Sequence, residues 1–238
     1  MSTQMVFQRY EIKYLLTRKQ KNLILEAMEP YMALDGYGRT TIRNVYYDTD
    51  SYRLIRNSLE KPVYKEKLRV RSYERADRNR PVFVELKKKY RGIVYKRRMT
   101  MERQLAEGYL AGELPAPEAS QIAAETDYFL QFYKDLSPKV FLSYEREAYY
   151  TKEPGEFRVT FDENILWRQQ DLSLGKGVYG EAILQPGQTL MEIKTPGNIP
   201  LWMVKVMSEE GIRQTSFSKY GNAYQEIVNR KRGEYTYA

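Results

Sequence analysis

The 238-residue chain contains no histidine and no cysteine. Without histidine, Ser-His-Asp and Cys-His catalysis, imidazole-ligated zinc and a phosphohistidine intermediate are all excluded. Without cysteine, neither a disulfide framework nor a thiolate metal site can form, and the redox compartment is left open. Long apolar runs are missing as well. No stretch approaches the roughly twenty apolar residues that a membrane-crossing helix needs. The N-terminal MSTQMVFQRYEIKYLL carries charges throughout, unlike a signal peptide. The expected compartment is therefore the cytoplasm. Chemistry must come from Lys, Arg, Glu, Asp, Tyr and Ser, with a hard metal held by carboxylates as the remaining inorganic option.

What the chain does have is positive charge. Lys and Arg outnumber Asp and Glu by 39 to 31, a formal net charge of +8. Such a balance favours a polyanionic partner: nucleic acid, polyphosphate, nucleotide or an acidic membrane. The length suits one sizeable domain, and a single domain over 1–238 is expected. Strand-like runs rich in β-branched and aromatic residues fall near 5–14, 40–48, 64–74, 81–89, 92–100, 139–150, 156–163 and 189–195. Helical periodicity marks 17–32, with Thr17 as N-cap, and 49–59, 102–112, 118–135, 199–210 and 218–230. The class read from this pattern is α+β. ELPAPEAS (113–120) reads as a break between helices, and the run from Gln169 to Gln188 as a long irregular connection. That connection contains GKGVYG, a literal G-x-G-x-x-G. It lacks the buried strand before and the opening helix within that a dinucleotide site requires, so it reads as a loop.

KEKLRVR (65–71) and VFVELKKK (82–89) alternate charged and aliphatic residues, which raises the question of where the charged side points. Strand parity puts Arg9, Glu11, Lys13, Lys67, Arg69, Arg71, Glu85, Lys87, Lys89, Lys96, Arg98, Arg146, Arg158, Asp162, Glu192 and Lys194 on one face. Ile12, Leu68, Val70, Val82, Val84, Leu86, Val159, Phe161, Met191 and Ile193 take the other, a core-forming set. A solvated face usually mixes signs to avoid repulsion between neighbouring strands, whereas this one is mostly basic. Either an ordinary solvated face or the polar lining of a closed sheet fits these spacings.

The same segments carry a resemblance. YEIKYLL, YYDT, KLRVRSY, FVELKKK followed by YKRR, SYEREAY, RVTFD, LMEIKTPGNIPLWM and SFSKYGNAY, in that order, resemble the polyphosphate polymerase domain of the vacuolar transporter chaperone family. That domain is a member of the triphosphate tunnel metalloenzyme superfamily. The match runs from about residue 6 to residue 228. It implies an eight-stranded antiparallel barrel with helices packed outside. The tunnel through it would bind ATP and polyphosphate, or another triphosphate, with Mn2+ or Mg2+ as cofactor. In the polymerase, the terminal phosphoryl group of ATP passes to a growing polyphosphate chain.

Carried over residue by residue, the resemblance implies that Arg69 and Arg71 grip phosphates, which paired guanidiniums can do bidentately. Lys87 and Arg146 join them as catalytic groups. Lys13, Lys96, Tyr144, Arg158, Ser218 and Lys219 complete the phosphate ring, and Glu192 holds the metal. The bland readings are a surface pair for the arginines and a neutralising partner of Lys194 or another lysine for Glu192. Many tunnel hydrolases begin with E-x-E-x-K, where this chain has Arg9, Glu11 and Lys13. The lost first glutamate points toward the polymerase branch. A metal-dependent triphosphatase or polyphosphatase of the same fold, or a polyphosphate-binding module without turnover, remain the alternatives. Nucleic acid is disfavoured, because most of the 22 tyrosines sit beside aliphatics in strand patterns. No membrane span is expected, and an unidentified membrane partner protein is left open.

Overall fold

The computed structural model describes residues 10–91 and 93–236. The start of the first expected strand, with Arg9, lies outside the described residues. Among them the chain forms six helices and an antiparallel set of eleven strands. The eight long strands are β1 (Tyr10–Leu16), β3 (Thr40–Asp48), β4 (Tyr64–Ser72), β5 (Pro81–Tyr90), β6 (Ile93–Glu102), β7 (Ser137–Thr151), β8 (Arg158–Arg168) and β10 (Thr189–Thr195). These are the eight expected from alternation. Short β2 (Met32–Leu34), β9 (Glu181–Ala182) and β11 (Gln214–Thr215) were not legible, being two or three residues long. The helices are α1 (Arg18–Met28), α2 (Arg53–Leu59), α3 (Arg103–Leu110), α4 (Gln121–Tyr133), α5 (Leu201–Glu209) and α6 (Lys219–Thr236).

Helix ends follow local chemistry. Thr17 and Gln20 form a reciprocal capping box at the start of α1. The helix stops at Met28, short of the expected residue 32, because Pro30 cannot continue it and Met32–Leu34 instead pairs with β7. Ser120 caps α4 through Ala123 N. The run around GKGVYG is irregular and leads into β9. There Gly180, at φ +143°, passes so close to Trp167 that a Cβ would lie 2.3 Å from its carbonyl oxygen, which only glycine permits.

The chain divides into two compact units. The first comprises Met1–Thr41, Tyr144–Ile165 and Leu184–Phe217, with strand order β11, β1, β10, β8, β7. Its core places Ile24 and Met28 of α1 and Met203 and Met207 of α5 on Leu16, Val159, Phe161, Met191 and Ile193. The second comprises Ile42–Ser143, Leu166–Ile183 and Ser218–Ala238, with strand order β7, β3, β4, β5, β6. Here Leu54 of α2, Ala106, Tyr109 and Leu110 of α3 and Phe129 of α4 cover Val45, Leu68, Val70, Val82, Val84 and Leu86. In both units helices cover the aliphatic parity face. The charged face is the opposite one.

Candidate functional site

In the second unit the charged face is built as rungs across β4, β5 and β6. Lys67 stands opposite Lys87, and Lys87 opposite Lys96. One step along, Arg69 stands opposite Glu85, and Glu85 opposite Arg98. Glu85 is 1% exposed and gathers the cations around it. Arg69 Nη2 lies 2.7 Å from Oε2, Lys96 Nζ 2.6 Å and Arg98 Nη2 2.5 Å from Oε1, and Arg71 Nε 3.8 Å from Oε2. Burial alone would push the Glu85 carboxyl up, but the charges of Arg69, Arg71 and Lys96 outweigh it and hold it well below the usual carboxylate range. Arg71, itself buried, donates through Nε to Asn44 Oδ1 at 3.0 Å, and Arg69 Nη1 donates to the Tyr46 hydroxyl at 3.1 Å. Lys67 Nζ donates to Ser218 Oγ at 3.1 Å, and Lys219 is 9% exposed. Arg69, Arg71, Lys87, Lys96, Ser218 and Lys219 thus belong to one unit.

The remaining expected residues, Lys13, Tyr144, Arg146, Arg158 and Glu192, belong to the other. Strand β1 lies beside β10 with Lys13 opposite Glu192, and β10 lies beside β8 with Glu192 opposite Thr160. Lys13 Nζ is 3.4 Å from Glu11 Oε1 and 3.6 Å from Glu192 Oε1, and donates to the Phe217 carbonyl at 3.0 Å. Arg146 engages the fully buried Asp162 through Nε and Nη2, both at 2.6 Å, and places Nη2 3.3 Å from Glu192 Oε2. Its guanidinium lies 5.1 Å from the centre of the buried Tyr144 ring. Arg158 lies 4.6 Å over Tyr150, and its buried Nε has no hydrogen-bond partner among the described residues. Glu192 is therefore set between Lys13 and Arg146, two cations brought by other strands.

The solvated-face reading does not survive this geometry. Asp162, Glu85, Glu192 and Arg71 are all buried on the charged side. The sequence placed Glu85, Arg98, Lys67 and Asp162 on that side without giving them a role. Asn44 and Tyr46 it missed, although alternation along TTIRNVYYD puts both beside the charged residues of β4. Among the described residues no group of three acidic side chains stands as a metal cage. Glu192 and Glu11, converging on Lys13, suit a hard divalent ion that takes one or two carboxylates from the protein and its other oxygens from phosphates.

In both units cations converge on buried carboxylates along the charged face of an antiparallel sheet backed by helices. The sequence profile of the VTC domain matches residues 8–228, and the chain belongs to that family. A candidate adenylate cyclase from Bacillus halodurans shares the fold: 16% identity, TM-score 0.52, covering 87% of this chain and 92% of that one. A candidate adenylyl cyclase from Hippeastrum, for which a dominant triphosphatase activity is described, aligns at 18% identity and TM-score 0.49 over 90% of this chain and 93% of that one. A candidate adenylate cyclase from Vibrio parahaemolyticus aligns at 10% identity and TM-score 0.47 over 94% and 99%. Comparison with curated proteins gives no match. Among the described residues no helix is long and apolar enough to cross a membrane.

Proposed function

We propose that this chain is a polyphosphate polymerase, transferring the terminal phosphoryl group of ATP to a polyphosphate chain. The observation that carries this reading is the run of lysines at Lys67, Lys87 and Lys96, directly opposite one another on adjacent strands beside half-buried Arg69 and buried Arg71. Like charges placed opposite on a sheet repel, so such a rung is stable when a polyanion lies along it. Membership of the VTC-domain family supports phosphoryl transfer as the reaction class.

In the proposed reaction an oxygen of the acceptor's terminal phosphate attacks the γ-phosphorus of ATP. The bond from that phosphorus to the β,γ-bridging oxygen breaks, ADP leaves, and the chain is one phosphoryl group longer. The attacking oxygen is already ionised, so no general base is needed, which suits a chain without histidine. Acceleration comes from alignment and from offsetting charge on the transferring group. Arg69, Arg71, Lys87 and Arg146 take that role, the two arginines of β4 being prearranged by Glu85, Asn44 and Tyr46. Lys13, Lys96, Tyr144, Arg158, Ser218 and Lys219 bind the flanking phosphates. Glu192, with Glu11 beside it, would hold Mn2+ or Mg2+, which when bound offsets further phosphate charge.

The test is incubation of the purified protein with ATP and Mn2+ or Mg2+, read on a polyphosphate-stained gel and by phosphorus NMR beside a free-phosphate assay. A ladder of chain lengths with ADP is expected. Orthophosphate as sole product would replace the polymerase with a metal-dependent triphosphatase, a reading that Glu11 favours by keeping a second carboxylate at Lys13. Absence of ATP consumption would leave a binding module.

A further inference from the structure

We propose that Asp48 is a positioning residue of the phosphate site: through Tyr220 it locks the first turn of α6, and with it Ser218 and Lys219, against the cation-bearing strands. This rests on the phosphate-handling reading above.

Asp48 ends β3 and is fully buried. Its carboxylate accepts from Thr49 N at 2.8 Å, Leu54 N at 2.9 Å, Ile55 N at 3.0 Å and the Tyr220 hydroxyl at 3.0 Å. The amides of Leu54 and Ile55 belong to the first turn of α2, whose N-cap Tyr52 has a left-handed backbone, φ 56°, and makes no side-chain cap. A carboxylate from the preceding strand caps the helix in its place. One group therefore fixes the start of α2 and the start of α6, whose contact at Tyr220 lies 172 residues away in sequence.

The first turn of α6 is fastened on its other side to β3 and β4. The Tyr220 ring stacks on Tyr46 at 4.7 Å between centroids, and the Tyr46 hydroxyl accepts from Arg69. Ser218 Oγ accepts from Gly221 N at 3.1 Å, capping the helix, and from Lys67 Nζ at 3.1 Å. Helices α2 and α6 approach so closely that a Cβ at Gly221 would lie 3.0 Å from Leu59 Cδ2. Burial and the facing Asp48 carboxylate push the Tyr220 hydroxyl far above its usual range, so it stays a donor at any working pH. Loosening the hydroxyl from Asp48 frees the turn that carries Lys219, between Ser218, which is bound to Lys67, and Tyr220, which is stacked on the acceptor of Arg69.

The test uses the full chain and tripolyphosphate, with affinities from titration calorimetry. Tyr220→Phe keeps the ring on Tyr46 and the cap on α2 and deletes only the latch. It should raise Kd about tenfold, the scale of one lost hydrogen bond to a charged group. If Asp48 acts through the turn, Tyr220→Phe should cost clearly less in a Lys219→Ala background than in the wild type, whereas a general loss of stability would add in full. Asp48→Asn, which keeps an acceptor for α2, should follow the same pattern and serves if Tyr220→Phe does not fold. Unchanged affinity, or additive losses, would overturn the proposal. If the wild type does not bind tripolyphosphate, the phosphate reading fails instead. The latch is then decided by hydrogen exchange at 219–222, where about tenfold faster exchange in Tyr220→Phe upholds the lock and no change overturns it.

Discussion

In the first unit Glu11, Asp162 and Glu192 stand with Lys13 and Arg146; in the second a single carboxylate, Glu85, stands with Arg69, Arg71, Lys96 and Arg98. Both clusters occupy the charged parity face of an antiparallel sheet, and both are backed by helices on the aliphatic face. They differ in the ratio of the two signs. The first gathers three carboxylates about Lys13 and Arg146, with Lys194 opposite Glu11, and so offers oxygens that suit a divalent ion. The second leaves several cations to one anion, which suits phosphoryl oxygens. The contrast teaches that a basic chain can sort its charges by register: the strand on which a glutamate falls decides which cations it meets.

The largest effect expected is at the carboxylate side. Glu192→Gln should lower metal-dependent turnover by about a hundredfold or more, the scale of losing one electrostatic contact in a transition state, while tripolyphosphate affinity changes little. Steady-state turnover beside calorimetry checks this, and a loss confined to affinity would erase the contrast. Next come the arginines of the cation side. Arg69→Ala and Arg71→Ala should each weaken tripolyphosphate binding by roughly 1 to 3 kcal/mol with the circular dichroism spectrum retained. Equal turnover and undiminished affinity in either variant would remove β4 from the site.

Lys96 sharpens the comparison within the cation side, since its side chain is 41% exposed where that of Arg71 is 8%. Lys96→Ala should cost only about two- to fivefold in Kd, and that cost should shrink with added salt. A loss as large as that of Arg71→Ala would place Lys96 at the centre of the site instead. The smallest effect near neutrality is on stability. Because the folded Glu85 pKa lies below its ordinary value of 4.5, its contribution is fully present above that pH and is lost as pH falls from there toward the folded value. Urea midpoints should therefore show no Glu85 dependence from pH 7 to 5. Below 4.5 they should fall more steeply for the wild type than for Glu85→Gln. Parallel curves would show that Glu85 is not held by its cations.

Much of this molecule is legible in one dimension. The alternation in KEKLRVR and VFVELKKK assigned Arg69, Arg71, Glu85 and Lys87 to one face and Leu68, Val70, Val84 and Leu86 to the other, as the structure has them. Thr17 was readable as a cap because a capping box spans three residues. Asp48 was not readable as anything: YYDT gives no sign that its carboxylate caps a helix starting at Arg53 and meets Tyr220. Nor does LMEIK reveal that Glu192 faces Lys13 and Arg146 on other strands.

By itself, then, the sequence determined the elements, their two faces and the surplus of positive charge, because period, capping and composition are properties of neighbours along the chain. Only the tertiary structure decided which charge meets which. Strand order and register set Lys67, Lys87 and Lys96 on one rung, put Glu85 among four cations and closed Asp48 onto Tyr220. A shift of one residue in any of these pairings would leave each strand's pattern intact while changing every partner, so the partners could not be read from the pattern.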